Sequence, residues 1–268
     1  MMQSINIEHI HEKVAPVVKK AGELVAQYFY QDKVESFTKK DKSIVTQADL
    51  ECERYLIQEL SKILPEASFF AEESGGSEKQ SAYSFVIDPI DGTTNFASGI
   101  PYFCISVCLT HKKKSLLGIV YQPLLKEYFH AIDGQGVFLN GKKLTHKPKD
   151  RARNPVILMG YKMLNSYISS VEHVLKGHSL VQNRYCIRYF GAAALDLAYL
   201  AMNRVDAVVY GKLAWWDVAA ASLLVKEAGK LITSFEGVDV DYKVKSVLAG
   251  TSCMHDVLKK AFIMHNEG

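Results

Sequence analysis

Nine consecutive residues, Asp88 to Phe96 (DPIDGTTNF), bring two carboxylates, a rigid proline and a glycine into one short segment. The apolar stretch Ser84 to Ile87 before them is typical of a buried strand, so we expect Asp88 at the strand end, where the chain turns. Pro89 fixes its own φ, and Gly92 lets the backbone approach a ligand closely. The spacing predicts that both aspartates face one cation and that the following residues open a short helix, whose N–H groups receive a phosphate.

Acidic residues also follow two other apolar segments. Glu72 and Glu73 come directly after Phe69 to Ala71, and Asp217 comes directly before the helical stretch Val218 to Gly229. Each acid also has an ordinary explanation, since aspartates are common in turns and Asp217 could be a helix N-cap. If the three acidic segments converge, they suit magnesium, a hard cation that takes several carboxylate ligands.

Three segments, in this order, resemble the signatures of the inositol monophosphatase family of magnesium-dependent, lithium-sensitive phosphatases: Glu72 to Ser74, Asp88 to Phe96, and Trp216 to Ala220. The resemblance covers nearly the whole chain. It implies an α/β (α+β) fold, namely a five-layer α-β-α-β-α sandwich of the inositol monophosphatase and fructose-1,6-bisphosphatase type. It also implies a small phosphorylated substrate, a homodimer, and release of inorganic phosphate by direct attack of water.

The same resemblance assigns roles to individual residues. It implies two or three Mg²⁺ ions per active site, with ligands from Glu72, Asp88, the carbonyl of Ile90, Asp91 and Asp217. Glu72 and Thr93 match catalytic residues of the family. The segment Lys40 to Asp49 is similar to the family's early motif, whose last aspartate pairs with that threonine to help activate water. Asp49 also has a structural explanation, because Thr46 can cap a helix in which Asp49 lies three residues further on.

These roles combine into a mechanism for hydrolysis. A phosphate monoester is dianionic and repels hydroxide, so its hydrolysis needs positive charge, an activated water and help for the departing alkoxide. We hypothesise that one of the predicted ions acidifies a water that Thr93 and Asp49 orient. A second ion, bridged to the first by Asp88, would stabilise the leaving oxygen. The backbone N–H groups of Gly92 and Thr93 are expected to hold the phosphate oxygens.

The predicted substrate pocket consists of Gly92, Thr93, Gly191, Ala193, Tyr210 and Asp217. Tyr210 occupies the position of a family glutamate that contacts inositol hydroxyls, and Ala192 replaces the usual hydroxyl residue in the stretch Arg188 to Leu197. These departures weaken the prediction of an inositol phosphate and favour a sugar, histidinol or nucleotide 3′-phosphate. Thr94 and Asn95 argue against the branch that cleaves 3′-phosphoadenosine phosphates. Tyr210 could stack on a base, or it could simply be a half-buried aromatic residue at a strand end.

Other catalytic chemistries and a binding function are alternatives to this reaction. The haloacid-dehalogenase motif D-x-D-x-T places its acids two positions apart, whereas Asp88 and Asp91 lie three apart. None of the nine histidines lies near a G-x-S-x-G elbow or an isolated cysteine motif, so a serine or cysteine nucleophile finds no support. The alternative from another class is a regulatory binding protein associated with RNA or RNA polymerase, as in some bacterial members of the family. Its support lies in the basic runs Lys112 to Lys114 and Lys142 to Arg153.

Composition limits the remaining possibilities. A chain of 268 residues with 48% apolar content can form one large domain or two halves that share a core. The net charge of +3 is modest, so the basic runs are interpreted as solvated turns instead of a nucleic-acid site. Five cysteines without a C-x-x-C pair indicate a reducing compartment. Since no apolar stretch approaches about 18 residues, we expect a cytoplasmic protein without a membrane partner.

Periodicity divides the chain into two halves. Residues 1–149 are expected to form an α+β half with an antiparallel sheet, which carries most metal ligands. Residues 150–268 are expected to form an α/β half that supplies Asp217 and residues of the substrate pocket. The pair Asn140-Gly141 predicts a hairpin, and Pro16 predicts a kink or a late start in the first helix.

Overall fold

The computed structural model describes residues 5–31, 36–38, 44–76, 81–145, 154–160, 168–177 and 185–266. Residues 40–43 of the early motif, residues 146–153 of the second basic run, and the predicted boundary between residues 149 and 150 lie outside the described residues. The helices are α1 (Ile7–Phe29), α2 (Gln47–Ile63), α3 (Thr93–Ala97), α4 (Ile168–Gly177), α5 (Ala193–Ala201), α6 (Trp215–Glu227) and α7 (Ser252–Asn266). The strands are β1 (Ser36–Thr38), β2 (Ile44–Thr46), β3 (Ser68–Ala71), β4 (Gly75–Gly76), β5 (Tyr83–Asp91), β6 (Cys104–His111), β7 (Lys114–Gln122), β8 (Glu127–Ile132), β9 (Gly136–Leu139), β10 (Lys142–Lys143), β11 (Val156–Met159), β12 (Cys186–Arg188), β13 (Ala207–Gly211), β14 (Leu231–Thr233) and β15 (Ser246–Gly250).

The larger sheet contains eight strands in the order β10-β9-β8-β7-β6-β5-β3-β4. Its neighbours are antiparallel, as the sequence predicts for this half, except for β3 and β5, which pair in parallel. The reason is that the chain leaves β3 through β4, which pairs on the outer side of β3, and then returns on the inner side as β5. This parallel pairing brings the carboxyl ends of β3 and β5 to the same edge of the sheet.

The smaller sheet contains five strands in the order β12-β11-β13-β15-β14. The first three strands are parallel, whereas β15 runs antiparallel to both β13 and β14. Parallel strands need crossover connections, and α5 lies between β12 and β13 in the sequence. The sheet therefore has the mixed α/β character that the sequence predicts for this part of the chain.

In the described part of the chain, three hydrophobic cores hold together five layers of secondary structure. The first core lies between the helices α1 and α2 and the outer face of the larger sheet, where Leu56 and Phe85 are buried. The second encloses α5 and α6 between the two sheets, and its members include Leu224 and Val208. The third joins the far face of the smaller sheet to α4 and α7, around residues such as Leu248. This layering confirms the predicted α-β-α-β-α sandwich.

Helix α6 is almost entirely apolar because sheets cover both of its flanks. It contacts β5 to β9 on one side and β14 on the other. On the larger sheet it lies so close to β7 that a Cβ atom at Gly118 would be 2.4 Å from the carbonyl oxygen of Ala220. Only glycine permits this approach, so Gly118 fixes the depth at which α6 packs and thereby the position of its first turn.

Local signals in the sequence mark several element boundaries. Asn6 caps α1 through a bond from the His9 N–H to its side chain, and α1 continues through Pro16, so the predicted late start of this helix is wrong. The Asn140-Gly141 hairpin is confirmed, with φ values of 48° and 78°. None of the helices in the described parts of the chain is both long enough and apolar enough to span a bilayer.

Candidate active site

The central acidic run lies on a strand that continues further than expected. Strand β5 extends to Asp91, so the prediction that it ends at Asp88 is wrong. On β6, Ser106 pairs with Asp88 and Cys104 pairs with Asp91. The interval between these two pairs is three residues on β5 but only two residues on β6. Pro89 has no N–H for the ladder, which explains a bulge at this point. Because side chains alternate along a strand, the extra residue brings two aspartates three positions apart towards the same side.

The chain turns immediately after Asp91. Gly92 has a φ of 94°, and α3 begins at Thr93, as the sequence predicts. A Cβ atom at Gly92 would lie 3.1 Å from both the Cβ of Ala192 and the carbonyl oxygen of Tyr102. Glycine is therefore required here both by the left-handed backbone and by the close packing of the neighbouring segments.

Asp88 is a buried carboxylate without full compensation. Its residue is 1% exposed, and its Oδ1 atom has no hydrogen-bond partner among the described residues. Burial raises the pKa of Asp88 well above its ordinary value, and the negative charges of Glu72, Asp91 and Asp217 raise this pKa further. A buried anion surrounded by other anions is costly unless a cation offsets it. The site therefore has the electrostatic character of a cation site.

Asp91 connects the central run to the other half of the chain. Its Oδ1 accepts a hydrogen bond from the N–H of Ala193 at 3.0 Å, and its Oδ2 accepts bonds from Ala194 at 2.7 Å and Leu195 at 3.3 Å. These N–H groups form the first turn of α5, whose positive dipole end stabilises a carboxylate. Burial and the charge of Asp217 raise the pKa of Asp91, and the backbone bonds oppose that rise.

Asp49 and Thr93 meet although they are distant in sequence. The Oδ2 of Asp49 accepts the Thr46 N–H at 2.8 Å as well as the Thr46 hydroxyl, which confirms the predicted capping box. The hydroxyl of Thr93 lies 3.3 Å from Asp49 Oδ1 and 2.9 Å from the carbonyl oxygen of Ile90. A hydroxyl that donates to these acceptors keeps lone pairs to accept a proton from a ligand. The catalytic role of both residues remains a prediction.

Glu72 lies at the end of β3, where its N–H donates to the carbonyl of Ile87 at 3.1 Å. The following loop is held by Glu53, whose two oxygens accept the N–H groups of Glu73 and Ser74, each at 2.8 Å. Sequence reasoning missed Glu53. It lies four residues after Asp49 on α2, so the helical repeat alone places both carboxylates on the same face and could have revealed it.

Asp217 belongs to the first turn of α6. This helix begins at Trp215, so Asp217 is its third residue and the alternative of an N-cap is wrong. Asp217 Oδ2 instead accepts the N–H of Ala214, the capping position, at 2.7 Å. Contact between the rings of Trp216 and Phe70, whose centroids are 5.1 Å apart, ties this turn to β3.

A cavity of about 350 Å³ collects most of the predicted site residues. Its lining includes Glu72, Asp91, Gly92, Thr93, Gly191, Ala193, Tyr210 and Asp217. Asp88 and Ile90 are both 1% exposed and lie beneath this surface. Within the described part of the chain, no three His, Cys, Asp or Glu side chains already form a metal-coordinating group. The assignment of individual ligands therefore remains a prediction.

Tyr210 lines the same cavity as the acids Glu72, Asp91 and Asp217. It is buried, at 7% exposure, instead of half-buried as one alternative supposed. Its hydroxyl donates to Asp196 Oδ2 at 2.7 Å, and the Tyr102 hydroxyl donates to Asp196 Oδ1 at 2.6 Å. Burial raises the pKa of Asp196 to about 7, although both tyrosine bonds oppose the rise. Sequence reasoning gave no role to Asp196 or Tyr102, and no local pattern links them to Tyr210.

Asn95 joins α3 to the mouth of the cavity. Its Nδ2 donates to the carbonyl oxygens of Tyr102 at 2.8 Å and Phe190 at 2.7 Å. Phe190 and Tyr189 line the cavity beside Gly191 and are partly exposed. From the sequence, Asn95 serves only to distinguish branches of a family, and no local pattern predicts this structural role.

Comparisons with known proteins agree with this geometry. A family model described as the inositol monophosphatase family matches residues 7–266. The chain is 34% identical over 221 residues to Nus factor SuhB of Pasteurella multocida, which covers 82% of each chain. It is 32% identical over 271 residues to inositol monophosphatase 3 of Solanum lycopersicum, which covers 97% of this chain and 99% of the other. The crystal structure of extragenic suppressor protein suhB from Bartonella henselae matches with a TM-score of 0.84 and 32% identity, covering 95% of this chain and 98% of that one.

Proposed function

The chain belongs to the inositol monophosphatase family and is a phosphatase, and from this premise we propose that it hydrolyses a small phosphate monoester with bound magnesium. The observation that carries the proposal is the buried Asp88, whose Oδ1 has no hydrogen-bond partner among the described residues. Burial and the charges of four further carboxylates raise its pKa, so the site concentrates negative charge where a divalent cation would offset it.

The residues present fit magnesium. Hard cations prefer oxygen ligands, and the proposed set consists of four carboxylates and one backbone carbonyl: Glu72, Asp88, Ile90, Asp91 and Asp217. Neither histidine nor a reactive cysteine belongs to this set, which disfavours softer metals. When bound, magnesium supplies positive charge for the phosphate, acidifies a water and stabilises the leaving oxygen.

The chain's own residues then orient the reaction. We assign the attacking water to the Thr93 hydroxyl, which accepts a hydrogen bond from it while donating its own proton towards Asp49. Asp49 is held in place by Thr46, so the pair is positioned before substrate binds. Gly92 and Thr93 line the cavity, and we assign their backbone N–H groups to the phosphate oxygens. Water attacks the phosphorus, the bond to the leaving oxygen breaks, and the alcohol takes up a proton.

Steady-state assays with p-nitrophenyl phosphate test this proposal. We expect phosphate release that depends on magnesium, disappears with a chelator and returns when magnesium is restored. Asp217→Asn should lower kcat/KM about 100-fold or more, because a charged ligand is lost. The matched control is Asp133→Asn, which removes an exposed acid paired with Lys114 outside the cavity. Equal activity of both variants, with unchanged magnesium dependence, would contradict the assignment.

Lithium provides a second test of the metal site. We propose that lithium inhibits phosphate release by this protein, as it does in the family's lithium-sensitive members. We expect inhibition at a fixed magnesium concentration, and we expect this inhibition to change in Asp217→Asn. Activity that lithium does not affect would remove lithium sensitivity from the proposal while leaving the hydrolytic reaction intact.

A second candidate function rests on a relative's name. The Pasteurella multocida protein is a Nus factor, which supports a regulatory role in association with RNA or RNA polymerase. Pull-down of RNA polymerase and of RNA with the purified chain tests this role independently of phosphate release. Retention of either partner by the wild type and by Asp217→Asn alike would establish a binding function separate from catalysis. Light scattering would test the proposed homodimer.

A further inference from the structure

Aromatic side chains form part of the cavity wall. We propose, on the basis of the phosphatase function above, that this site selects phosphate esters whose alcohol carries a flat, unsaturated ring over polyhydroxylated alcohols. Tyr210 and Phe190 are the residues that determine this specificity, and both line the same cavity as Thr93 and Asp217.

Tyr210 presents its ring to the cavity, because its hydroxyl already donates one hydrogen bond and accepts another. The hydroxyl donates to Asp196 at 2.7 Å and accepts a hydrogen bond from the backbone of Gly191. The ring also packs directly on Gly160, where a Cβ atom would lie 2.6 Å from Tyr210 Cδ1. Rotation that frees the hydroxyl would leave buried Asp196 short of a donor, so the ring orientation is fixed.

Phe190 is held as firmly as Tyr210. Asn95 binds its carbonyl oxygen, and its ring centroid lies 4.9 Å from that of Tyr102. Tyr102 packs edge-on against Tyr199 at 5.8 Å, and Tyr199 in turn lies under the guanidinium of Arg204 at 4.5 Å. This continuous chain of rings makes the wall rigid, so it favours a ligand that is already flat.

The wall is a poor partner for a polyol. The side-chain nitrogen of Asn95 donates to two backbone carbonyls, and the carboxylate of Asp196 accepts hydrogen bonds from two tyrosines. Polyol hydroxyls placed against these groups and the rings would therefore lose water without gaining equal hydrogen bonds there. A flat ring loses no such bonds and gains offset or edge-to-face contacts with Tyr210 and Phe190.

Four alkyl phosphates of similar intrinsic reactivity test the proposal: benzyl, cyclohexylmethyl, glycerol 1- and myo-inositol 1-phosphate. We expect kcat/KM for benzyl phosphate to exceed that for inositol phosphate at least tenfold. Cyclohexylmethyl phosphate should fall between them, which separates flatness from apolarity. A benzyl-to-inositol ratio of one or less would overturn the inference.

Variants assign the selectivity to individual rings. Phe190→Ala should lower the benzyl-to-glycerol ratio of kcat/KM at least fivefold, mainly through KM. Its matched control is Tyr242→Ala, since Tyr242 is 41% exposed against 37% for Phe190 but lines another cavity. Tyr210→Leu should lower the ratio, whereas Tyr210→Phe should keep it within twofold because the ring remains. An unchanged ratio in Phe190→Ala would overturn the inference even if the Tyr210 variants fail to fold.

Binding of benzylphosphonate, which cannot be hydrolysed, separates this inference from the proposed function. It is measured by calorimetry with magnesium present, in the wild type and in Phe190→Ala. Binding that weakens in Phe190→Ala, without release of phosphate from any ester, would support the aromatic pocket and contradict the proposed phosphatase reaction. Release of phosphate from inositol phosphate, without binding of benzylphosphonate, would contradict the aromatic pocket alone.

Discussion

Two buried aspartates, Asp88 and Asp196, have different environments. Asp88 has an oxygen with no hydrogen-bond partner among the described residues, and other acids surround it. Asp196 accepts hydrogen bonds from two tyrosine hydroxyls. Burial raises the pKa of both residues, so the pKa shift alone does not distinguish their roles. The hydrogen-bond donors distinguish these roles. Asp196 receives its hydrogen bonds from the protein and supports structure, whereas Asp88 needs a ligand of opposite charge.

The largest expected effect tests the acidic cluster around Asp88. Asp88→Asn should lower kcat/KM by about 10³-fold at saturating magnesium, because a carboxylate that would hold magnesium loses its charge. The same variant should raise the free energy of unfolding without magnesium by about 1–3 kcal/mol, since it removes a poorly compensated buried charge. Chemical denaturation with a chelator measures the second effect. A simultaneous loss of activity and stability would show that Asp88 is structural, as Asp196 is.

The opposite combination, a loss of stability with little loss of activity, is expected for Asp196. Asp196→Ala should lower the free energy of unfolding by about 2–4 kcal/mol, because two buried tyrosine hydroxyls lose their acceptor and a small cavity forms. Its kcat with p-nitrophenyl phosphate should fall less than about tenfold, since Asp196 has no contact with the reacting atoms. Denaturation and kinetics on the same preparation measure both quantities. An activity loss as large as that of Asp88→Asn would show that the two aspartates do not differ in role.

The pH dependence of stability sharpens the comparison further. The pKa of Asp196 is raised from 3.8 to about 7 in the folded protein. Between these values the folded protein retains a proton that the unfolded chain has released, so the contribution of Asp196 to stability decreases as pH rises from about 4 to about 7. Asp196→Asn should remove this decrease, which we expect to be on the order of 2 kcal/mol. Unfolding curves at pH 5 and pH 8 give the difference, and parallel curves for both proteins would refute the assignment.

The smallest effect concerns a single hydrogen bond. Tyr102→Phe removes one of the two donors to Asp196 and keeps the ring that packs on Phe190. The free energy of unfolding should fall by about 1 kcal/mol at pH 8, where Asp196 is ionised, and by less at pH 5. Equal losses at both pH values would indicate that Asp196 stays protonated or that the ring, not the hydroxyl, determines stability.

Local signals gave a large part of the architecture. The Thr46 and Asp49 capping box, the Asn140-Gly141 hairpin and the short helix after Gly92 all follow from residues within a few positions of one another. Where a local signal was misleading, a longer-range contact explains it. Pairing with β6 continues β5 past Pro89 to Asp91, and α6 begins before Asp217 because its first turn packs on β3.

Sequence order and residue type by themselves determined the family, the reaction class and the residues expected to bind metal, because acids at element ends form recognisable motifs. The tertiary structure decided which of these residues meet. The Thr93 hydroxyl reaches Asp49 across 44 positions, and Asp196 gathers tyrosines from two other segments. Such meetings depend on strand register and on the packing of helices between sheets, which no short stretch of sequence encodes. For the same reason, only the folded chain shows that aromatic rings line the same cavity as the acids.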